Sequence, residues 1–337
     1  MGVWLLALLL LATSCDQPSV RRVSLRQVDP TLASPARGGD EPPSLRIAAA
    51  PVVSPSETLR SYGTLFDYLG RKLGRPIQLV QRRTYAETYE LLRTGSVDFA
   101  LVCTYVYVLG RQEFGLEPVA APVVHGQPAY QSVLIVRAEA SFQSFADLKG
   151  RRFAFTDPLS TSGFVYPVSL LRELGTAPEG FFGSVIYTHS HDHSIRAVAE
   201  GVVDGAAVDS LVWDQWRARH PERAAALREI GRSPVFASPP FVARPGVSSH
   251  LLERFRLALL EMHRDAEGRR ILAELGIDRF ALLPDAAYQS VRDLGRRAGT
   301  LPGGCRRPAF APRCSASLWA WRCWWAPRPF GWPVRRS

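Results

Sequence analysis

From Leu45 to Leu275 the chain alternates short apolar runs with amphipathic stretches, and this rhythm constrains the fold more than any other feature. RIAAAPVV (46–53), PIQLVQ (76–81) and VDFALV (97–102) read as buried strands. Between them, Leu59, Tyr62, Leu65, Phe66 and Leu69 recur at helical spacing over 57–74, and a second helical stretch over 84–95 closes at Gly95. Apolar residues three and four apart mark one helix face, whereas short continuous runs suit strands covered on both sides. Alternation of this kind predicts a mainly parallel sheet flanked by helices.

A second set follows: strands over 132–136, 152–156, 185–189 and 203–208, with helices over 163–174, 192–201 and 210–218. The segment 235–245 is extended and Pro-interrupted, and helices over 249–264 and 266–275 close the pattern. Two alpha/beta units joined by extended strands near 134–141 and 233–242 imply two lobes, the second inserted into the first. The expected division is lobe 1 over about 45–136 and 238–294, and lobe 2 over about 137–237. Ligands of open sheets sit beyond the carboxyl ends of the strands, so the expected site is the cleft between the lobes.

Outside this body the chain is different. Residues 3–11 form an apolar run too short for a bilayer, which needs roughly 20 residues, and Ala12-Thr13-Ser14-Cys15 follows. Small residues before a cysteine resemble a bacterial lipobox, so residues 1–15 read as a lipoprotein-type signal peptide with Cys15 as the lipidated residue. The expected consequence is export, to the periplasm or the outer face of the cytoplasmic membrane, with a lipid anchor. Residues 16–44 are polar, rich in Pro, Ser and Arg, and read as a flexible linker. Residues 295–337 hold five of the eight tryptophans beside Arg, Pro and Cys without amphipathic period, and read as an irregular, non-homologous tail.

That tail also explains the charge. The chain carries a net +10, yet nine arginines and no acidic residue follow Asp293. The remaining body is nearly neutral, so a nucleic-acid partner is not expected. The five cysteines show no metal-binding spacing. His189, His191 and His193 would share one face of a strand, but the predicted turn into a helix at about 191 scatters them, so no metal and no cofactor is expected.

The most informative segment is TDPLSTSG (156–163): a strand ends, Asp-Pro turns the chain, and Ser160, Thr161 and Ser162 precede a helix. The first amides of a helix lack internal partners and carry the positive end of its dipole. Hydroxyls beside them make a pocket for a tetrahedral oxyanion without any Lys or Arg. The plainer reading is that a serine merely caps the helix.

TDPLSTSGFVYP (156–167) resembles the signature of the phosphate/phosphite/phosphonate-binding proteins of bacterial ABC importers. TYAETYELLRTGSVDFALV (84–102), AYQSVLIV (129–136) and HSHDHSIRAVAEGVVDGAAVDS (189–210) are similar to further family segments, in order and spacing. The resemblance covers about 46–294. It implies a type II periplasmic-binding-protein fold, two α/β lobes joined by a two-strand hinge, holding a small phosphorus oxyanion for delivery to an ABC permease. Carried over by position, Ser160, Thr161 and Ser162 would bind phosphoryl oxygens, Tyr85 and Tyr130 would line the pocket, and His191 would stand in the same cleft. Asp192 replaces a frequent Glu, and Asp209 lies near the acidic position facing the ligand's organic end, where a carboxylate would suit an amino group. On residues alone, Tyr85 and Tyr130 serve equally as packing residues.

Two other functions share this sequence. The same domain would serve as the ligand sensor of a membrane histidine kinase or chemoreceptor. An enzyme would need Ser160, His191 and Asp209 as nucleophile, base and orienter, and no nucleophile elbow, metal motif or nucleotide loop accompanies them.

Overall fold

The computed structural model describes residues 44–302. The signal peptide, Cys15, nearly all of the linker and the tail from 303 onward lie outside the described residues.

The first half runs β1 (Leu45–Ala49), α1 (Pro55–Leu73), β2 (Ile77–Gln81), α2 (Tyr85–Arg93), β3 (Phe99–Leu101), α3 (Thr104–Phe114) and β4 (Glu117–Val123). Local chemistry sets these limits: Thr84 and Glu87 form a reciprocal capping box at the start of α2. On α1 the buried stripe is Leu65, Phe66, Leu69 and Leu73. Leu59, expected on that stripe, is 61% exposed, so the buried leucine stripe begins only at Leu65.

The second half begins with β5 (Ala129–Tyr130), β6 (Ser132–Arg137) and β7 (Arg152–Phe155). It continues through α4 (Tyr166–Glu173), α5 (Pro178–Phe181), β8 (Ser184–Tyr187), α6 (His191–Ala199), β9 (Gly205–Asp209), α7 (Ser210–Arg219), α8 (Pro221–Ala224) and β10 (Leu227–Arg232). The chain then returns through β11 (Phe236–Ala237) and β12 (Phe241–Ala243) to α9 (Ser249–Leu260), α10 (Ala266–Leu275), β13 (Arg279–Ala281) and α11 (Gln289–Arg297).

Two sheets result, ordered β13-β4-β12-β3-β1-β2 and β10-β6-β9-β7-β8. Each is mixed, where a mainly parallel sheet was expected: β2, β1 and β3 are parallel, but β12 runs antiparallel to both β3 and β4. The reason is topological, since β12 re-enters the first sheet from the second half without a crossover helix. β6 pairs with β9 and β10, so it belongs wholly to the second sheet. The sheet change therefore falls within residues 124–131 and not at 136/137, while the return lies at 233–240. The two passages pair as a short ribbon, Tyr130 opposite Phe236 and Ala129 opposite Ala237.

Separate apolar cores line the outer faces. Leu65, Leu69, Phe255 and Ile271 cover the first sheet, and Ile195, Val198, Trp213 and Trp216 cover the second. A third cluster runs between the sheets and takes in Ala298 and Leu301. The folded body thus extends past 294, where the tail was expected to begin. Gly295 permits this, because a Cβ there would lie 2.7 Å from Leu301 and 2.9 Å from the Tyr105 ring.

Candidate functional site

The strands of both sheets deliver their following helices to one junction. Hydrogen bonds tie together the first residues of α2, α3 and α6, the end of β9 and the turn after β7. Helix starts carry free amides and positive dipole ends, so their convergence favours an anion.

The turn after β7 holds Ser160, Thr161 and Ser162, all at most 2% exposed. Thr161–Val165 is a single widened π turn leading into α4, whereas the sequence predicted a plain helix from 163. Pro167 stands in the first turn of α4, where its missing N–H costs nothing, and the Ser162 carbonyl accepts the Ser132 hydroxyl at 2.7 Å. The Ser160 Oγ accepts the Gly163 amide at 3.0 Å, so the capping role expected as the plainer reading is real. The amide of Ser162 meets no protein acceptor among the described residues, and that of Thr161 meets only the weak Cys103 sulfur. Gly163 is obligatory here, since a Cβ would stand 2.3 Å from Thr156 Oγ1 and 3.1 Å from the His191 ring.

The second sheet supplies His191, buried at the start of α6. Its Nδ1 accepts the Asp209 backbone amide at 3.1 Å, with Thr156 Oγ1 also at 3.1 Å. That leaves Nε2 protonated and donating, with Ser160 Oγ at 3.4 Å. Burial lowers the imidazole pKa to about 3, only partly offset by Asp192, so the ring is neutral. Asp209 caps α7, its Oδ1 accepting from Leu211 at 2.8 Å and Val212 at 3.4 Å. Burial pushes its carboxyl up to about 7 against those two amides. Asp192 accepts the Ser54 amide at 2.9 Å, and Arg196 stands 3.6 Å from its other oxygen, an ion pair without a hydrogen bond.

The first half faces this wall. The Tyr85 amide donates to Asp157 at 3.1 Å, while its hydroxyl is fully buried and has no partner among the described residues. Tyr130 hydroxyl and Thr161 Oγ1 both meet Thr104 Oγ1, at 2.8 and 2.7 Å, and the Tyr105 amide donates to Thr161 at 2.9 Å. The Cys103 thiol donates to the Leu159 carbonyl at 3.0 Å, and burial pushes its pKa up to about 12.

Six expected residues therefore gather at one junction: Ser160, Thr161, Ser162, Tyr85, Tyr130 and His191. Asp209 reaches it through its backbone, with its carboxylate turned to the helix cap. Asp192 lies at the edge, holding the loop after β1. His189 and His193 are exposed, and among the described residues no cluster of His, Cys, Asp or Glu suits a metal. Sequence reasoning missed Thr104, Thr156 and Asp157 as members of the network. Thr156 and Asp157 stood inside the quoted motif, but only folding shows that they brace His191 and Tyr85. Asp98 pairs with Arg244, and Asp204 with Arg152.

The family of ABC-transporter periplasmic phosphonate substrate-binding proteins matches residues 47–288. The phosphate-import protein PhnD of Mycolicibacterium smegmatis is 29% identical over 67% of this chain and 76% of its own length. The phosphonates-binding periplasmic protein of Escherichia coli is 25% identical over 78% of this chain and 79% of its own. The fold is shared with a binding protein of a Pseudomonas aeruginosa ABC phosphonate transporter, at a TM-score of 0.72 and 23% identity, covering 77% of this chain and 87% of that one. It is also shared with a Prochlorococcus marinus protein solved with methylphosphonate, at a TM-score of 0.70 and 19% identity, covering 77% and 99%.

Proposed function

The chain belongs to the family of phosphonate-binding periplasmic substrate-binding proteins of ABC transporters, and from that premise we propose that it captures a phosphorus oxyanion between its two lobes and presents it to an ABC permease. The lobes are 45–123 with 241–302, and 132–232, joined by the passages 124–131 and 233–240. This partition follows the sheets and refines the boundaries expected from the sequence. Export with Cys15 as lipid anchor completes the reading, on the lipobox pattern alone.

One observation carries the proposal: neutral donors converge where the two halves meet. The Thr161 and Ser162 amides, the Tyr85 hydroxyl and His191 Nε2–H are all buried and all lack a strong acceptor. Such donors hold an anion in a water-poor site, where each bond is stronger than in water. Ser160, Ser162 and Tyr130 add hydroxyls to the phosphoryl oxygens. Asp209 flanks the organic end, and Asp192 joins Ser54 across the halves, as do Tyr85 with Asp157 and Cys103 with Leu159. These cross-contacts exist only when the lobes are shut, so ligand binding selects the shut form for the permease.

The chain is not an enzyme in this reading. His191 meets Asp209 through the amide and not the carboxylate, and its protonated Nε2 faces Ser160. A general base would need the opposite arrangement. Calorimetry with phosphate, phosphite, methylphosphonate and 2-aminoethylphosphonate tests the assignment. Ser160→Ala with Ser162→Ala is expected to weaken the tightest ligand by about tenfold or more, as loss of bonds to a charged group requires. Unchanged affinity would remove the hydroxyl turn from the site.

A further inference from the structure

Beside the polar junction lies a crevice of about 380 Å³ that shares Asp209 with it. One wall is formed by Ala49, Ala50 and Leu101 at the ends of β1 and β3, and the opposite wall by Leu211 and Val212 in the first turn of α7. A phosphate or phosphite needs no such volume.

The charged groups around this crevice are already engaged. Asp209 Oδ1 caps α7, and burial pushes its carboxyl pKa up to about 7. Asp192 is taken by Ser54 and Arg196. Glu57 on the crevice rim pairs with Arg60 and with Arg219 across the two halves, and Asp214 pairs with Arg217. Glu274, also on the lining, pairs with Arg270, so an ammonium group on the ligand would meet only carboxylates already committed to an amide or an arginine, and its desolvation would be poorly compensated. An apolar group would find apolar walls.

Resting on the receptor function above, we propose that the ligand carries an uncharged, mainly apolar organic substituent of several carbons, seated between β1–β3 and the first turn of α7. The ligand class is an alkyl- or arylphosphonate, or a phosphate monoester with such a group, in preference to aminoalkyl phosphonates. This reverses the amino-group preference that the family resemblance implies for Asp209.

The test is calorimetry on the full chain with methyl-, butyl- and 2-aminoethylphosphonate beside inorganic phosphate. A buried methylene strengthens binding roughly fourfold, so butylphosphonate is expected to bind about tenfold or more tighter than methylphosphonate. The 2-aminoethyl compound should bind no tighter than the methyl one. Ala218→Trp, which fills the crevice from α7, should reduce the butyl advantage to less than about threefold, by removing the volume for those methylenes. Methylphosphonate should hold its affinity in that variant. Tighter binding of the aminoethyl compound, a flat methyl-to-butyl series, or a butyl advantage that survives Ala218→Trp each overturns the proposal while leaving the oxyanion site intact. Failure of every phosphorus anion to bind overturns the receptor reading itself, and this inference with it.

Discussion

Tyr85→Phe separates a ligand donor from a packing aromatic, because the two roles predict opposite changes. The ring is fully buried at the start of α2, and only its hydroxyl is removed. That hydroxyl has no partner among the described residues, and an unpaired buried polar group destabilises by roughly 1–3 kcal/mol. Opening of the lobes in the free protein would hydrate it and shrink that penalty. The free variant is therefore expected to melt no lower than the parent, and up to a few degrees higher, at about 2–4 °C per kcal/mol for a domain of this size. Bound to a phosphorus oxyanion, the same hydroxyl would donate to a charged acceptor, an interaction of about 1.5–3 kcal/mol. Its loss corresponds to a drop in affinity of roughly 10- to 150-fold. Thermal melting of the free protein and calorimetry with its tightest phosphonate measure both quantities on one preparation. A variant that melts lower and binds equally well would show that Tyr85 is a packing residue, and the donor argument would fail.

Gly163→Ala should destabilise by about 1–3 kcal/mol and weaken binding, because the new Cβ must displace Thr156 and with it the partner of His191; wild-type melting and affinity would refute the close approach. Asp209 has its pKa raised to about 7 in the folded protein, so any stability linked to its proton is present below the unfolded carboxylate range and lost as pH rises through 7. Oxyanion affinity should fall in the same direction, as a negative charge appears beside the ligand. Asp209→Asn keeps the helix cap and should flatten that decline; parallel pH profiles for the two proteins would contradict it. His191 works with the opposite sign: its pKa is lowered to about 3, so the unfolded chain binds the proton first and stability falls as pH drops from about 6.5 toward 3. His191→Gln should lessen that acid loss in melts taken across the window. Leu301→Ala should destabilise by about 2–4 kcal/mol if residues past 294 complete the inter-sheet core, and an unchanged melt would return them to the tail.

Much of the fold was legible because periodicity reports burial. The runs 76–81 and 132–136 are strands, 46–53 is a strand only as far as Ala49, and 266–275 is a helix, since each alternation or continuous run matches the face it covers. α3, with consecutive buried residues from Thr104 to Val108, escaped notice because a helix enclosed on all sides loses its amphipathic signature. β12 and β13, three residues each, are too short to announce a direction, and the direction of β12 is what made the first sheet mixed, as that of β6 did the second. The family likeness brought Tyr85, Tyr130 and His191 to notice beside the hydroxyl triplet. The roles of Thr104 and Thr156 depend on partners 57 and 35 residues away, distances over which a sequence shows no period.

The order of elements and the hydroxyl triplet at the mouth of a helix were fixed by local chemistry, because propensity and capping act over a few residues. Tertiary structure alone decided which half Ser132 joins, which nitrogen of His191 donates, and that Asp209 and Asp192 each turn one carboxylate oxygen to a backbone amide. Those outcomes depend on burial and on which groups meet across the junction, and neither exists until both sheets have formed.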